Sequence, residues 1–178
     1  MKIFKSINAC RVSNKKDLVT VFKFPNFYLT GIFPKQKQKI LKTPFEVVFS
    51  KSSKLLQLKH NYDQKFLYGK NYGYRSGLNP IMTKHLRDKY FILKKKLVLK
   101  KKDKILDIGS NDSTFLNFSK CKKYGVDPSI KKFLKYYKKD TNYYIDTFEN
   151  AFVKLREEKF KLITSIAMFY DLPDPLSF

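Results

Sequence analysis

Residues 104–116 read KILDIGSNDSTFL: a short apolar run closing on Asp107, a turn with a single glycine, Gly109, and the apparent start of a helix at Thr114–Phe118. The same grammar repeats downstream. YGVDPS, residues 124–129, ends an apolar run on Asp127, and YYIDTFEN, residues 143–150, ends one on Asp146. Strands are expected over Lys104–Ile108, Lys123–Val126, Asn142–Ile145 and Leu162–Phe169. Between them, Ile130, Phe133, Leu134 and Tyr137 fall at i, i+3, i+4, i+7, and Phe148, Ala151, Phe152 and Leu155 keep helical spacing. Strands alternating with helices at this interval predict an α/β fold with a parallel sheet and crossover helices.

Ligands of open α/β sheets sit at the carboxyl ends of the strands. Three Asp residues at three successive strand ends therefore describe a site better than any one of them. Asp107 can accept from turn amides or a cationic amine, Gly109 lets a ligand approach the backbone, and amides near Asn111 suit a carboxylate. Asp127 is placed for the two hydroxyls of a ribose, and Asp146 for an adenine amino group. Each Asp could instead cap a helix. The pairing of Asp107 with Asp127 favours the ligand, whereas for Asp146 the two readings balance. No G-x-G-x-x-G run cradles a pyrophosphate: Gly109 is followed by Ser110-Asn111-Asp112-Ser113. A nucleoside cofactor without a pyrophosphate, such as S-adenosylmethionine, fits this turn.

Upstream, residues 1–60 read as a small β-rich lobe with strands at Leu18–Phe24, Phe45–Phe49 and Leu55–Leu58, and a loop carrying Pro25, Gly31 and Pro34. An aromatic linker and a helix, starting near Asn79-Pro80 and running to about Leu99, occupy 61–100. The sheet domain takes 101–178.

The chain carries 38 Lys+Arg against 15 Asp+Glu, a net charge of +23. A polyanion such as nucleic acid is one explanation. The other is a lysine-rich surface, which the scarcity of Arg favours, since Arg suits bidentate phosphate recognition. Cys10 and Cys121 imply no disulfide framework. The segment MKIFKSINACRVS has no apolar signal core, and no run is long enough to span a membrane, so a cytoplasmic protein without a membrane partner is expected.

LDIGSNDSTFL, GVDPS and ITSIAMFYDLPDP, together with YGYRSGLNPIMTKHL at 72–86, resemble the sugar C-methyltransferases that act on nucleotide-activated deoxysugars. The resemblance spans about residues 8 to 178. It implies the N-terminal half of a Rossmann-like class I methyltransferase sheet, preceded by a lobe that in the family binds zinc. It also implies S-adenosylmethionine as cofactor and a nucleotide sugar as substrate.

The family's zinc ligands align with Cys10 and Ser13 in ACRVS and with Ser50 and Ser53 in FSKSSKLLQL. Three hydroxyls in place of thiolates make a poor zinc site, so the metal is expected to be lost. The lobe would then rest on Phe22, Phe24, Phe45, Val47, Phe49 and Leu56, and His60 reads as a surface residue. The family's turn glycine is Ser113 here, strained if its φ is positive.

For the chemistry, the resemblance implies that Tyr72 and Tyr74 overlie the active site. With His85 they are the catalytic candidates, and Arg75 and Tyr170 would meet the substrate. The same tyrosines could simply pack between lobes. The family's general base would fall beyond Phe178. A truncated enzyme, a cofactor-binding remnant completed by a partner chain along the open sheet edge, and a basic nucleic-acid-binding or RNA-methylating protein therefore all remain open.

Overall fold

The computed structural model describes residues 3–29, 34–68 and 72–178. The chain divides into two compact units, one of Met1–Gly73 with Leu172–Phe178 and one of Tyr74–Asp171.

In the first unit, β1 (Phe4–Ser6), β2 (Leu18–Tyr28), β3 (Lys42–Ser50), β4 (Leu56–Leu58) and β5 (His60–Tyr62) precede a single helical turn, α1 (Gln64–Leu67). β2, β3 and β4 form an antiparallel meander, and β1 pairs with β5. The expected loop at Pro25 is part of β2. The strand passes it with register shifts between Thr20 and Phe22 and between Phe24 and Phe27, and a bulge is where a strand tolerates a residue that cannot donate. Gly31 lies outside the described residues.

The expected core of this unit is corrected. Register puts Phe22, Phe24, Phe45, Val47, Phe49 and Leu56 on one sheet face, and Phe22, Phe24 and Leu56 are exposed there. The buried positions among its described residues are Cys10, Leu29, Thr43, Val48, Ser50, His60 and Leu172. His60, expected at the surface, packs edge-on against Phe4 at 5.1 Å. Arg11 ties the unit together by donating to the carbonyls of Leu58 (2.7 Å) and His60 (3.2 Å) and to the Asn61 side chain.

In the second unit, which starts at Tyr74, a 3-10 turn at Ser76–Leu78 leads into α2 (Pro80–Lys96). Asn79 caps it, accepting from the amides of Ile81 and Met82, and Pro80 fills the first turn, where its missing N–H costs nothing. The helix ends three residues short of Leu99. Val98 adopts φ 48°, while Leu99 N–H reaches Lys94 O and Val98 N–H reaches Lys95 O. This is a Schellman closure with valine where glycine is usual.

The strands that follow are β6 (Lys104–Ile108), β7 (Lys122–Val126), β8 (Thr141–Tyr144) and β9 (Leu162–Ser165), with α3 (Ile130–Phe133) after β7 and α4 (Phe148–Leu155) after β8. All pair parallel in the order β8-β7-β6-β9. α2 covers the sheet through Leu86 and Tyr90, which join Leu99, Ile105, Leu116 and Leu162 in the main core.

Two expected helices shrink. Thr114–Phe118 yields only a 3-10 turn at Leu116–Phe118, because the preceding turn is left-handed at Asn111 and Ser113. The face Ile130–Tyr137 breaks after Phe133 into a 3-10 turn, and Tyr137 is extended. β9 ends at Ser165, ahead of Ala167 at φ 56° and a 3-10 turn at Phe169–Asp171. No helix among the described residues is long and apolar enough to cross a membrane.

Candidate functional site

β6 lies between β7 and β9, and its connection leads to β7 on one side while β9 arrives on the other. Open α/β sheets bind their ligands at such a reversal of strand order, outside the carboxyl ends. Asp107, Gly109, Asn111 and Asp127 gather there.

Asp107 is buried, and Thr164 Oγ1 donates to its Oδ1 at 2.7 Å. Burial pushes this carboxyl up to about 7; the Thr164 bond opposes the shift and the Asp127 charge adds to it. Asp127 is half-buried and accepts from two backbone amides, Asn111 N–H at 2.9 Å and Ser129 N–H at 2.6 Å. The turn after β6 thus wraps onto the end of β7 through a carboxylate. Tyr137, whose ring the broken helix swings inward, places its hydroxyl 2.8 Å from Ser110 Oγ and donates to Asn111 O at 3.1 Å. Burial drives that phenol far upward, so it acts as a neutral donor.

Three buried hydroxyls around this edge, Ser113 Oγ, Ser129 Oγ and Ser165 Oγ, have no hydrogen-bond partner among the described residues. Ser129 follows β7 by the Asp127 turn, and Ser165 pairs with Ile108 at the end of β9. Unpaired buried polar atoms are costly, and their concentration marks a place where polar partners are wanted.

Gly109 is required twice. Its φ is +77°, and a Cβ there would stand 2.9 Å from Met168 Cγ. Sequence reasoning opened the backbone at Gly109 to a ligand; the structure fills that space with the Met168 side chain. Ser113 does adopt φ 64°, with its hydroxyl buried and unpaired. Ser113→Gly removes both penalties and is expected to stabilise the protein by about 1 kcal/mol, as read by urea denaturation.

The remaining candidates are dispersed. Asp146 is exposed and accepts from Thr147 N–H and Asn150 Nδ2, both at 2.8 Å, local contacts at the start of α4. Arg75, expected to meet an anionic substrate, pairs with buried Asp112 at 3.0 Å and stacks 4.1 Å from the Tyr136 ring centroid. Around that pair, Ser76 N–H donates to Asn111 Oδ1, Asn111 Nδ2 to Tyr74 O, and Gly77 N–H to Asp112 Oδ2. The segment before α2 is therefore strapped to the turn.

Tyr74 and Tyr170 are exposed and within electrostatic reach of each other; burial, Asp171 and Tyr74 raise the Tyr170 phenol. His85 sits on the solvent face of α2, beside Ile81, Lys84 and Asp88. Tyr72 belongs to the first unit, where it meets Tyr68 edge-on. Thr164, Tyr137 and Met168 escaped sequence reasoning. Only Thr164 left a signal there, as a hydroxyl inside an expected strand of mostly apolar residues.

In the first unit, the four degenerate metal positions do converge. Two similar turns, each closed by an i+4 amide (Asn14 N–H to Cys10 O, Lys54 N–H to Ser50 O), place a left-handed residue at φ 56° and 59°. Cys10 Sγ lies 3.2 Å from Ser53 Oγ, Ser53 N–H donates to Ser50 Oγ, and Ser13 Oγ lies 3.1 Å from Ser52 Oγ. Asp17 accepts from Ser50 Oγ and from Ser52 N–H, and Gln57 donates to Cys10 Sγ. Burial works to raise the Cys10 thiol, but donors from Ser53, Ser13 and Val12 outweigh it and bring it down to about 5. The Cys10 sulfur is thus a shared hydrogen-bonding centre between the two turns. Among the described residues, no group of three or more His, Cys, Asp or Glu could hold a metal ion.

No family model matches the sequence, and a search of curated proteins finds no match either.

Proposed function

We propose that residues 74–171 bind S-adenosylmethionine at the carboxyl edge of a Rossmann-like class I sheet, and that the chain is a methyltransferase acting on carbon of a nucleotide-activated deoxysugar. The observation that carries the reading is the meeting of Asp107, Asn111 and Asp127 at adjacent ends of parallel strands, in the order β8-β7-β6-β9. The residues present fit the cofactor. Asp127, fixed by two amides, keeps acceptor capacity for ribose hydroxyls, and the unpaired Ser129 hydroxyl supplies a donor near it, with that of Ser165 at the end of β9. Asp107, buried and poised near neutrality, suits an ammonium group, whose charge would draw it into the carboxylate form.

When bound, the cofactor supplies an electrophilic methyl group. The chain's own contribution is to orient that nucleoside, and to present the Tyr74 and Tyr170 side chains toward a substrate. Met168 beside Gly109, and Arg75 engaged by Asp112, favour a second reading in which the chain binds cofactor without turnover.

Calorimetric titration with S-adenosylmethionine tests the first step. Asp127→Ala is expected to weaken binding about 10–100-fold, with Asp127→Asn intermediate because it keeps an acceptor for the turn amides. Wild-type affinity should rise as pH passes through about 7, where Asp107 ionises. Folded wild-type protein that gives no binding heat would remove the assignment. Methyl transfer to a keto-deoxysugar nucleotide separates the two readings.

A further inference from the structure

The β2-β3-β4 meander turns a largely apolar face toward solvent. Register sets Phe24 opposite Phe45, Phe22 opposite Val47, and Val19 opposite Phe49. Leu58 and Leu56 extend the same face beyond Val47 and Phe49. Phe27 joins it, its ring 5.7 Å from Phe45 and 5.9 Å from Phe24. Phe22 is 60% exposed, Leu56 59% and Phe27 50%. Isolated exposed apolar residues need no explanation, but a contiguous aromatic sheet face does.

The charges lie elsewhere. Lys23 pairs in register with Glu46, and Lys42 with Tyr28, both on the reverse face, where Thr20 also donates to Glu46. The register places no charged residue on the apolar face of the three strands. That arrangement decides between occupants. A single-stranded nucleic acid needs cations tracking its backbone beside the stacking rings, and an anionic lipid surface needs them flanking the inserted face. An uncharged apolar face is instead matched by another of its own kind.

We propose that this face is the interface of a homodimer, two copies packing their meanders sheet on sheet about a two-fold axis. An isologous contact requires a self-complementary patch, and a largely apolar pleated face is one. Counting aromatic side chains at about 200 Å² each and valine and leucine somewhat less, the exposed fractions of Val19, Phe22, Phe24, Phe27 and Leu56 leave roughly 500 Å² per chain. Two such faces approach the roughly 1,200–2,000 Å² buried in stable interfaces. Lys23 and Lys42 lie on the reverse face, away from the contact.

Sedimentation equilibrium of the full chain across micromolar concentrations, at low and high salt, tests this. A concentration-dependent dimer that tightens with salt is expected, because salt screens repulsion between like-charged chains while leaving apolar burial intact. Phe22→Lys and Leu56→Lys should each raise the dimer dissociation constant at least about 10-fold with an unchanged circular dichroism spectrum, and Lys23→Gln should not. Should one lysine variant fail to fold, the other decides; should both fail, the wild-type salt series decides. A monomer at all concentrations, a dimer indifferent to both lysine variants, or one that loosens with salt overturns the proposal. So does a monomer that binds phosphatidylserine vesicles or oligothymidylate through this face.

Discussion

Asp112→Ala is expected to destabilise the protein by about 3–5 kcal/mol, the cost of removing one partner from a buried ion pair. Asp112 is 1% exposed and accepts from Arg75 Nη1 at 3.0 Å, Gly77 N–H at 2.9 Å, Thr114 N–H at 3.2 Å and Thr114 Oγ1 at 2.5 Å. Alanine orphans all four donors and leaves the Arg75 guanidinium, mostly buried against Tyr136, without its counter-charge. Asp112→Asn keeps acceptors for some of these donors and should cost less. Arg75→Ala should also cost less, because Gly77 and Thr114 still satisfy the carboxylate. Urea unfolding of the three variants checks the order. A loss below about 1 kcal/mol for Asp112→Ala would place Asp112 among ordinary surface pairs.

Asp107→Asn is expected to act in the opposite direction, stabilising the protein by on the order of 2–4 kcal/mol at pH 8. The folded protein holds the Asp107 proton up to about 7, against an ordinary value of 3.8. Between those values the folded state binds more protons than the unfolded chain. Stability contributed by the neutral acid is therefore complete below about pH 4, declines as pH rises, and is gone above about pH 7. Asparagine is neutral throughout and its carbonyl can still accept from Thr164, so it keeps the low-pH stability at pH 8. Denaturation at pH 5 and pH 8 gives the difference: the wild type should lose stability across that interval, and the variant much less. Equal slopes would mean that Asp107 is solvated in the folded protein.

The different fates of Asp107, Asp127 and Asp146 show what the sequence could convey. Strand ends on Asp107 and Asp127 were legible, because a buried parallel strand announces itself as an apolar run and its end as a polar stop. The parallel pairing of all four strands followed from their spacing. Asp146 has the same local signature, yet its oxygens serve Thr147 and Asn150, since a carboxylate ahead of a helix has near amides to meet before any ligand. Helical periodicity misled over 130–137. Ile130 and Phe133 are buried as a helical face would bury them, but Tyr137 leaves the helix to reach Ser110 and Asn111, a tertiary attraction no local pattern encodes.

In the β-rich unit the alternation was real, but alternation does not say which face is covered. Residues read as core lie on the open side, and small polar groups, Cys10, Ser50 and Thr43, are interior. The Arg75–Asp112 pair joins residues far apart in sequence, and Arg75 carries no local mark that separates a buried clamp from a surface anion contact.

The strap has a consequence for how this region breathes. Ser76 and Gly77 hold Asn111 and Asp112 by backbone amides, and Tyr74 is held in return by the Asn111 carboxamide. The left-handed turn cannot open while those bonds stand, so loosening of 74–77 and loosening of 111–114 form one cooperative excursion rather than two. Any molecule that settles on the turn makes that excursion rarer by its own binding free energy. The residues leading into α2 would thus register its arrival as slower amide exchange without touching it.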